Sequence, residues 1–212
     1  MSLQARKLAC ERDDRWLFHD LDLEVRGGEV LRIEGANGSG KTTLLKILSG
    51  QLTDYQGALF WREVPLRQVY RDFLANVLYL GHATGVKWAL TPLENLAWYQ
   101  ALAGVGKDEA QRMSALEAVG LAGFEDVPVG QLSAGQQRRV ALARLELTPR
   151  PLWILDEPFT AIDREGVADL EARLAVHVHD GGSVVLTTHQ PLAVSVPMRR
   201  VRLGDGGDHV AF

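Results

Sequence analysis

The chain has 212 residues with 23 basic and 27 acidic side chains, and its net charge of −4 argues against a surface built mainly to bind nucleic acid. Hydrophobic residues at 46% and charged residues at 24% fit a globular chain and exclude a disordered or fibrous one. The single cysteine, Cys10, excludes an internal disulfide and fits a reducing compartment, while no stretch approaches the roughly 18 uninterrupted apolar residues of a membrane-spanning helix.

In chain order, Met1 to Arg15 alternates charges with short apolar pairs and lacks the apolar centre of a secretory signal, so a soluble, cytoplasmic protein is expected. Leu21, Leu23 and Val25 alternate as in a strand, Gly27-Gly28 interrupts, and Val30-Leu31-Arg32-Ile33 resumes. Trp16 reads as the start of that buried strand. A glycine-rich loop, Gly35 to Gly40, leads into a helix over Thr42 to Leu52, with Leu44, Leu45, Ile47 and Leu48 inward and Gly50 near its stop. Residues 57 to 81 read as short strands around a helical turn, ending in Val77-Leu78-Tyr79-Leu80.

From 83 to 149 the character is helical. Thr91-Pro92-Leu93-Glu94 is a capping box with proline at the first helical position, opening a helix towards Ala103, and Lys107 to Val119 reads as a second helix. This stretch is expected to be an insertion between two halves of a sheet-based core, 1–82 and 150–212. The core resumes at Leu152-Trp153-Ile154-Leu155, a buried strand, followed by a helix from Arg164 to Val178 and a second buried strand over Ser183 to Thr188. Apolar strands alternating with helices predict a largely parallel sheet covered on both faces.

Four motifs carry chemistry. Gly35-Ala36-Asn37-Gly38-Ser39-Gly40-Lys41-Thr42 fits the phosphate-loop pattern G-x-x-x-x-G-K-S/T. Its glycines let successive N–H groups face an anion, the following helix adds its positive end, Lys41 can reach the terminal phosphates, and Thr42 can ligate magnesium. Asp156 and Glu157 emerge at the carboxyl end of a buried strand, where open α/β sheets bind ligands. Asp156 is placed to hold the metal, and Glu157 to deprotonate an attacking water. Leu132-Ser133-Ala134-Gly135-Gln136 sits at a helix N-terminus, a second anion-binding device that one triphosphate has little use for within one chain, so it is expected to close over a nucleotide held by another subunit. His189, beyond a neighbouring strand, is expected to contact phosphate or position water.

These elements, in this order, resemble the ATP-binding subunit of ATP-binding-cassette (ABC) proteins over almost the whole chain. The resemblance implies an α/β fold: a phosphate-loop NTPase (RecA-like) core with a mainly parallel sheet, an N-terminal antiparallel β part and the helical insertion. It implies ATP and Mg2+ as cofactors, with Gly35 to Thr43 binding nucleotide on one subunit and Ser133, Ala134, Gly135 and Gln136 of its partner capping the terminal phosphate in an ATP-bound homodimer. Phe159-Thr160-Ala161-Ile162-Asp163 matches the family's subunit-contacting loop, with Ile162 where leucine is commoner.

Two positions depart from the family pattern. The glutamine that senses magnesium and water falls on His82, and imidazole is shorter and is the side chain whose charge changes near neutrality. The adenine-stacking aromatic falls on Arg12, whose guanidinium plane can also stack, with Trp16 the competing candidate. Cys10-Glu11-Arg12-Asp13, Ile33-Glu34-Gly35, Leu80-Gly81-His82 and Gly85-Val86-Lys87 give a narrower resemblance, to the haem-exporter ATPases of bacterial cytochrome c maturation. That resemblance implies a peripheral protein on the cytoplasmic face of the bacterial inner membrane, driving an integral CcmB-like subunit alongside CcmC- and CcmD-like proteins. ATP hydrolysis would serve haem export or release of a haem-loaded chaperone, with no nucleic-acid partner and no direct haem binding expected. An ABC ATPase for another solute, or a soluble one, is the alternative.

His177 and His179 are expected at an exposed helix end, and Trp88, Trp98 and Tyr99 in packing or partner contact, with Val86 to Leu90 the segment facing a membrane subunit.

Overall fold

A computed structural model describes residues 2–106, 108–204 and 209–211. The chain divides into two units. One comprises Met1–Tyr79, Arg150–Glu157 and Arg173–Phe212, and the other Leu80–Pro149 and Pro158–Ala172. Residues 158–172, which the sequence reading placed with the sheet core, thus group with the helical insertion, to which Arg138 and Arg139 bind them.

The first unit begins with a hairpin, β1 (Ser2–Arg12) and β2 (Arg15–Arg26). Its two-residue turn, Asp13-Asp14, has both φ angles positive (51° and 56°), the geometry that suits the twist of a tight hairpin. β1 is hidden from a period-two reading because the register shifts between Ala5 and Leu8, at Lys7 (φ 49°). Leu3 and Ala5 point inward before this bulge and Leu8 and Cys10 after it. With β4 (Gln56–Trp61) and β5 (Val64–Pro65), these strands form a four-stranded sheet in the order β2-β1-β4-β5. Trp16 lies in β2 opposite Glu11 and is 37% exposed, so it is a surface residue rather than the buried strand start expected of it.

The second sheet uses β3 (Val30–Gly35), β6 (Val77–Leu80), β7 (Leu152–Asp156), β8 (Ser183–Thr187), β9 (Met198–Leu203) and β10 (His209–Ala211), in the order β10-β9-β3-β8-β7-β6. β9, β3, β8 and β7 run parallel, and β10 is antiparallel to β9. Every residue of β7 and β8 is buried, as strands covered on both faces must be. α1 (Lys41–Leu48) and α2 (Tyr70–Asn76) belong to this unit. A single core joins Leu8, Phe18 and Trp61 of the antiparallel sheet to Leu44, Leu45 and Leu48 of α1 and to Ile33, Ile154 and Val185 of the parallel one.

The second unit holds α3 (Pro92–Ala103), α4 (Glu109–Ala118), α5 (Ala134–Leu142) and α6 (Arg144–Leu147) around Leu96, Leu116, Leu121, Val129 and Val140. Both capping-box bonds of α3 form, Glu94 N to Thr91 Oγ1 and Thr91 N to Glu94 Oε2. α4 starts after the N-cap Asp108, while Lys107, the expected first residue, lies outside the described residues. The fully buried Asn95 accepts from Lys87 N and donates to the carbonyls of Lys87, Leu90 and Thr91, ordering the segment ahead of α3.

α7 (Arg164–His179) ends against the parallel sheet, where the expected exposed histidine is stacked instead: the rings of His177 and Trp153 lie 3.7 Å apart and 4° from parallel. Burial pushes the His177 imidazole down to about 4, against the hydrogen bond to Ser183 that opposes the shift. The ring is therefore neutral when folded, whereas an unfolded chain protonates it near pH 6.5, so stability is lost as pH falls from about 6.5 towards 4. The slope from this group is at most about 1.4 kcal/mol per pH unit before solvent screening is allowed for. Urea unfolding at pH 7 and pH 5 is expected to show a smaller loss of midpoint in His177→Phe, which keeps the stack, than in the wild type.

A candidate phosphate-binding and hydrolytic site

The parallel register sets the first half of the site. Ile33 pairs with Thr187 and Thr187 with Asp156, so the loop after β3, the carboxylates ending β7 and the residues following β8 leave the sheet at one level. In the loop, Gly40 has φ 92° and an added Cβ would lie 2.9 Å from Leu17 Cβ, so only glycine fits where the chain turns into α1. α1 has no side-chain cap and no acidic residue in its first turn, leaving its positive end to a ligand. Ser39 is buried, and its Oγ has no hydrogen-bond partner among the described residues. Lys41 Nζ donates to Gly35 O at 2.8 Å and Ala36 O at 2.9 Å, a position from which it spans the loop mouth.

Asp156 binds two hydroxyls. Thr42 Oγ1 donates to Oδ2 at 2.8 Å and Thr187 Oγ1 to Oδ1 at 2.7 Å. Hydroxyl and carboxylate oxygens are the donor set of a hard divalent cation, so these residues fit magnesium. Burial, with the Asp156 charge adding to it, raises the neighbouring Tyr79 phenol to about 12, so it stays neutral beside the carboxylate. Glu157 follows with φ 49°, a left-handed conformation that costs a non-glycine residue on the order of 1–3 kcal/mol. Its N–H donates to Thr187 Oγ1 at 2.9 Å, and its carboxylate accepts from His189 N at 3.3 Å and lies 3.4 Å from His189 Nε2. Arg12, from the hairpin, is ion-paired with Asp54 at 2.6 Å.

The remaining predicted residues lie in the second unit. Ser133 is the N-cap of α5 in a reciprocal box: Gln136 N donates to Ser133 Oγ at 3.2 Å, and Ser133 N to Gln136 Oε1 at 2.9 Å. Gly135 has no alternative, because an added Cβ would lie 2.6 Å from Ala161 O. Ser133, Gly135, Gln136, Ala161 and Asp163 line one cavity of about 830 Å³. Arg139 holds Asp163 at 2.5 Å and donates to Val119 O. The Gly166 N–H, ahead of Arg139, keeps the Asp163 carboxyl below its usual range. His82 is exposed just after β6, with its carbonyl and that of Gly81 accepting from Arg138 Nη1.

The sequence reading missed two residues. Thr187 bridges Asp156 and Glu157, and its signal was a polar side chain in a fully buried strand. Arg138, 4% exposed, gathers the carbonyls of Gly81, His82 and Pro158, and an arginine on an otherwise apolar helix face was the available cue.

A phosphate loop between strand and helix, a carboxylate-ended strand one place removed in the same sheet, and a separate helical unit opening on Ser133-Ala134-Gly135-Gln136 define an ATPase of the ATP-binding-cassette class. The family model described as ABC transporter matches residues 18–160, and the chain belongs to that family. It is 56% identical to the cytochrome c biogenesis ATP-binding export protein CcmA of Hahella chejuensis, over 95% of each chain. It is 54% identical to the protein of the same name from Escherichia coli K12, over 95% of this chain and 96% of that one. In fold it is similar to the dimeric post-hydrolysis state of the ATP-binding cassette MJ0796 bound to ADP and Pi, with a TM-score of 0.85, 21% identity, and coverage of 99% and 98%.

Arg138→Met removes the donor to the buried Pro158 carbonyl, which costs about 1–3 kcal/mol, and to the partly buried Gly81 and His82 carbonyls, which water can partly satisfy. A loss of about 2–4 kcal/mol in chemical denaturation is expected, and Arg138→Lys should recover less than half of it, since one ammonium cannot span all three acceptors.

Proposed function

We propose that the chain is the ATP-hydrolysing subunit of an ABC transport complex for cytochrome c biogenesis, acting as an ATP-bound homodimer on the cytoplasmic face of a bacterial inner membrane. The observation that carries the hydrolytic reading is the contact of Thr42 Oγ1 with Asp156 Oδ2 at 2.8 Å, directly beside Glu157 and His189. The assignment to cytochrome c biogenesis is supported by the identity to proteins of that name, and the dimer by the assembly named for MJ0796. No helix among the described residues is long and apolar enough to cross a membrane.

In this reading the loop amides, the Ser39 hydroxyl and Lys41 grip the phosphates, Lys41 exchanging its loop carbonyls for phosphate oxygens. Thr42 and Asp156 would hold magnesium, which neutralises charge on the terminal phosphates when bound. Glu157 takes the proton from the attacking water, and His189, close to its carboxylate, steadies the terminal phosphate. Arg12, fixed by Asp54, offers its guanidinium plane to adenine, and Trp16, exposed on the neighbouring strand, is the alternative. Ser133 Oγ accepts from Gln136 N and keeps its own proton to donate to a phosphate on the partner subunit, with Asp163 in the subunit-contacting loop. His82 is assigned to sensing the water or the metal.

The membrane partner is proposed to be a CcmB-like subunit working with CcmC- and CcmD-like proteins, with hydrolysis serving haem export or release of the haem-loaded chaperone. Its contact is assigned to the segment 86–90, which Asn95 orders and where Trp88 is 68% exposed.

Two measurements test these assignments. Glu157→Gln is expected to keep ATP affinity within about three-fold while lowering turnover by about 10²-fold or more, and near-normal hydrolysis would refute the base. Lys87→Glu with Trp88→Ala is expected to abolish co-purification with the membrane subunit from detergent extracts while leaving ATP binding intact. Unchanged co-purification would remove this segment from the interface.

A further inference from the structure

We infer that Thr187 is a positioning residue for hydrolysis, tying the Asp156 carboxylate and the Glu157 main chain to one hydroxyl. β8 is buried throughout, and Thr187 itself has no exposed surface. At such a position valine has the same shape and branching and buries no polar group, so the hydroxyl needs a purpose. It has two partners. It donates to Asp156 Oδ1 at 2.7 Å and accepts from Glu157 N at 2.9 Å, which uses its one proton and one lone pair.

Each bond acts on a different proposed function. With Oδ1 engaged by Thr187, the Asp156 carboxylate cannot rotate freely, and Oδ2 is left facing Thr42 Oγ1 at 2.8 Å. The second bond catches the chain where the ladder ends, at the Asp156–Thr187 pair, and Glu157 turns into the left-handed region. That turn aims the Glu157 carboxylate at the main chain and ring of His189, 3.3 and 3.4 Å away. Thr187 thus couples the orientation of the carboxylate facing Thr42 to that of the base. Losing its hydroxyl should loosen both together while leaving the bonds of Lys41 to Gly35 and Ala36, which hold the glycine-rich part of the phosphate loop, in place. The inference rests on the proposed roles of Asp156 and Glu157.

The test compares Thr187→Val, Thr187→Ser and Glu157→Gln in the full chain with its membrane subunits. Steady-state kcat and KM, the magnesium concentration giving half-maximal rate, and binding of a fluorescent ATP analogue in EDTA are measured, with melting temperature as the control. Thr187→Val is expected to lower kcat at least ten-fold and raise the magnesium half-saturation at least three-fold, with metal-free analogue binding within two-fold of wild type. Thr187→Ser is expected to restore each value to within three-fold. If Thr187→Val does not fold, Thr187→Cys, of similar size and a poorer donor, is held to the same criteria. Wild-type kcat and magnesium dependence in the hydroxyl-deficient variant, while Glu157→Gln is inactive, would overturn this inference and leave the base assignment standing. Parallel loss of melting temperature and metal-free binding would also overturn it, by making the residue structural. Near-normal hydrolysis in both Glu157→Gln and Thr187→Val would overturn the base assignment and this inference with it.

Discussion

The alignment of β3, β8 and β7 is the constraint on which the first unit's chemistry depends. Parallel strands with Ile33 opposite Thr187 and Thr187 opposite Asp156 end at a common level, so three separate stretches of chain release their functional residues at one edge. With both faces covered, a slip of one position would swap the side chains packed on the two faces, so the different partners of those faces hold the register. Ile154 and Val185 face the core shared with α1, while Trp153 faces away from it to meet His177. The fully buried strands β7 and β8 carry their charged and hydroxyl side chains only at their ends, and the carboxylates occur there, level with the phosphate loop.

Charged anchors reinforce the register at both ends of β3. Near its start Glu29, 8% exposed, binds Arg199 through both oxygens and accepts from Arg26 N, and Arg199 also reaches the Glu24 carbonyl. A carboxylate this buried is tolerable only because each oxygen has a charged or main-chain donor. At the other end Glu34 sits among Arg32, Arg200 and Arg202, next to the first glycine of the loop. These pairs clamp β3 to β9, and strain at Glu157 is held in place on the opposite side by β8.

The second unit relies on buried polar side chains rather than sheet register. Asn95 saturates the carbonyls before α3, and Arg138 and Arg139 draw the segments around residues 81, 119 and 158–163 onto α5. Such side chains make several directional bonds at once and so fix loop conformation where no ladder runs. The close approach of Ala161 O to Gly135 follows from that clamping, and it explains a glycine inside the first turn of a helix, where propensity disfavours it.

Local pattern was enough to reveal the phosphate loop, the carboxylate-ended strand, the Thr91–Glu94 box and the Ser133 helix start, because each is set by neighbours a few residues apart. β1 escaped because a bulge at Lys7 breaks its alternation, and β9 because its outward arginines hide a strand whose mate is β3, some 170 residues earlier in the chain. The stacking of His177, the exposure of Trp16, the grouping of 158–172 with the helices and the bridging by Thr187 are also products of distant partners. A sequence shows which side chains can donate, accept or hide from water. Which of them meet is decided by the register and packing of segments far apart in the chain, and that belongs to the tertiary structure alone.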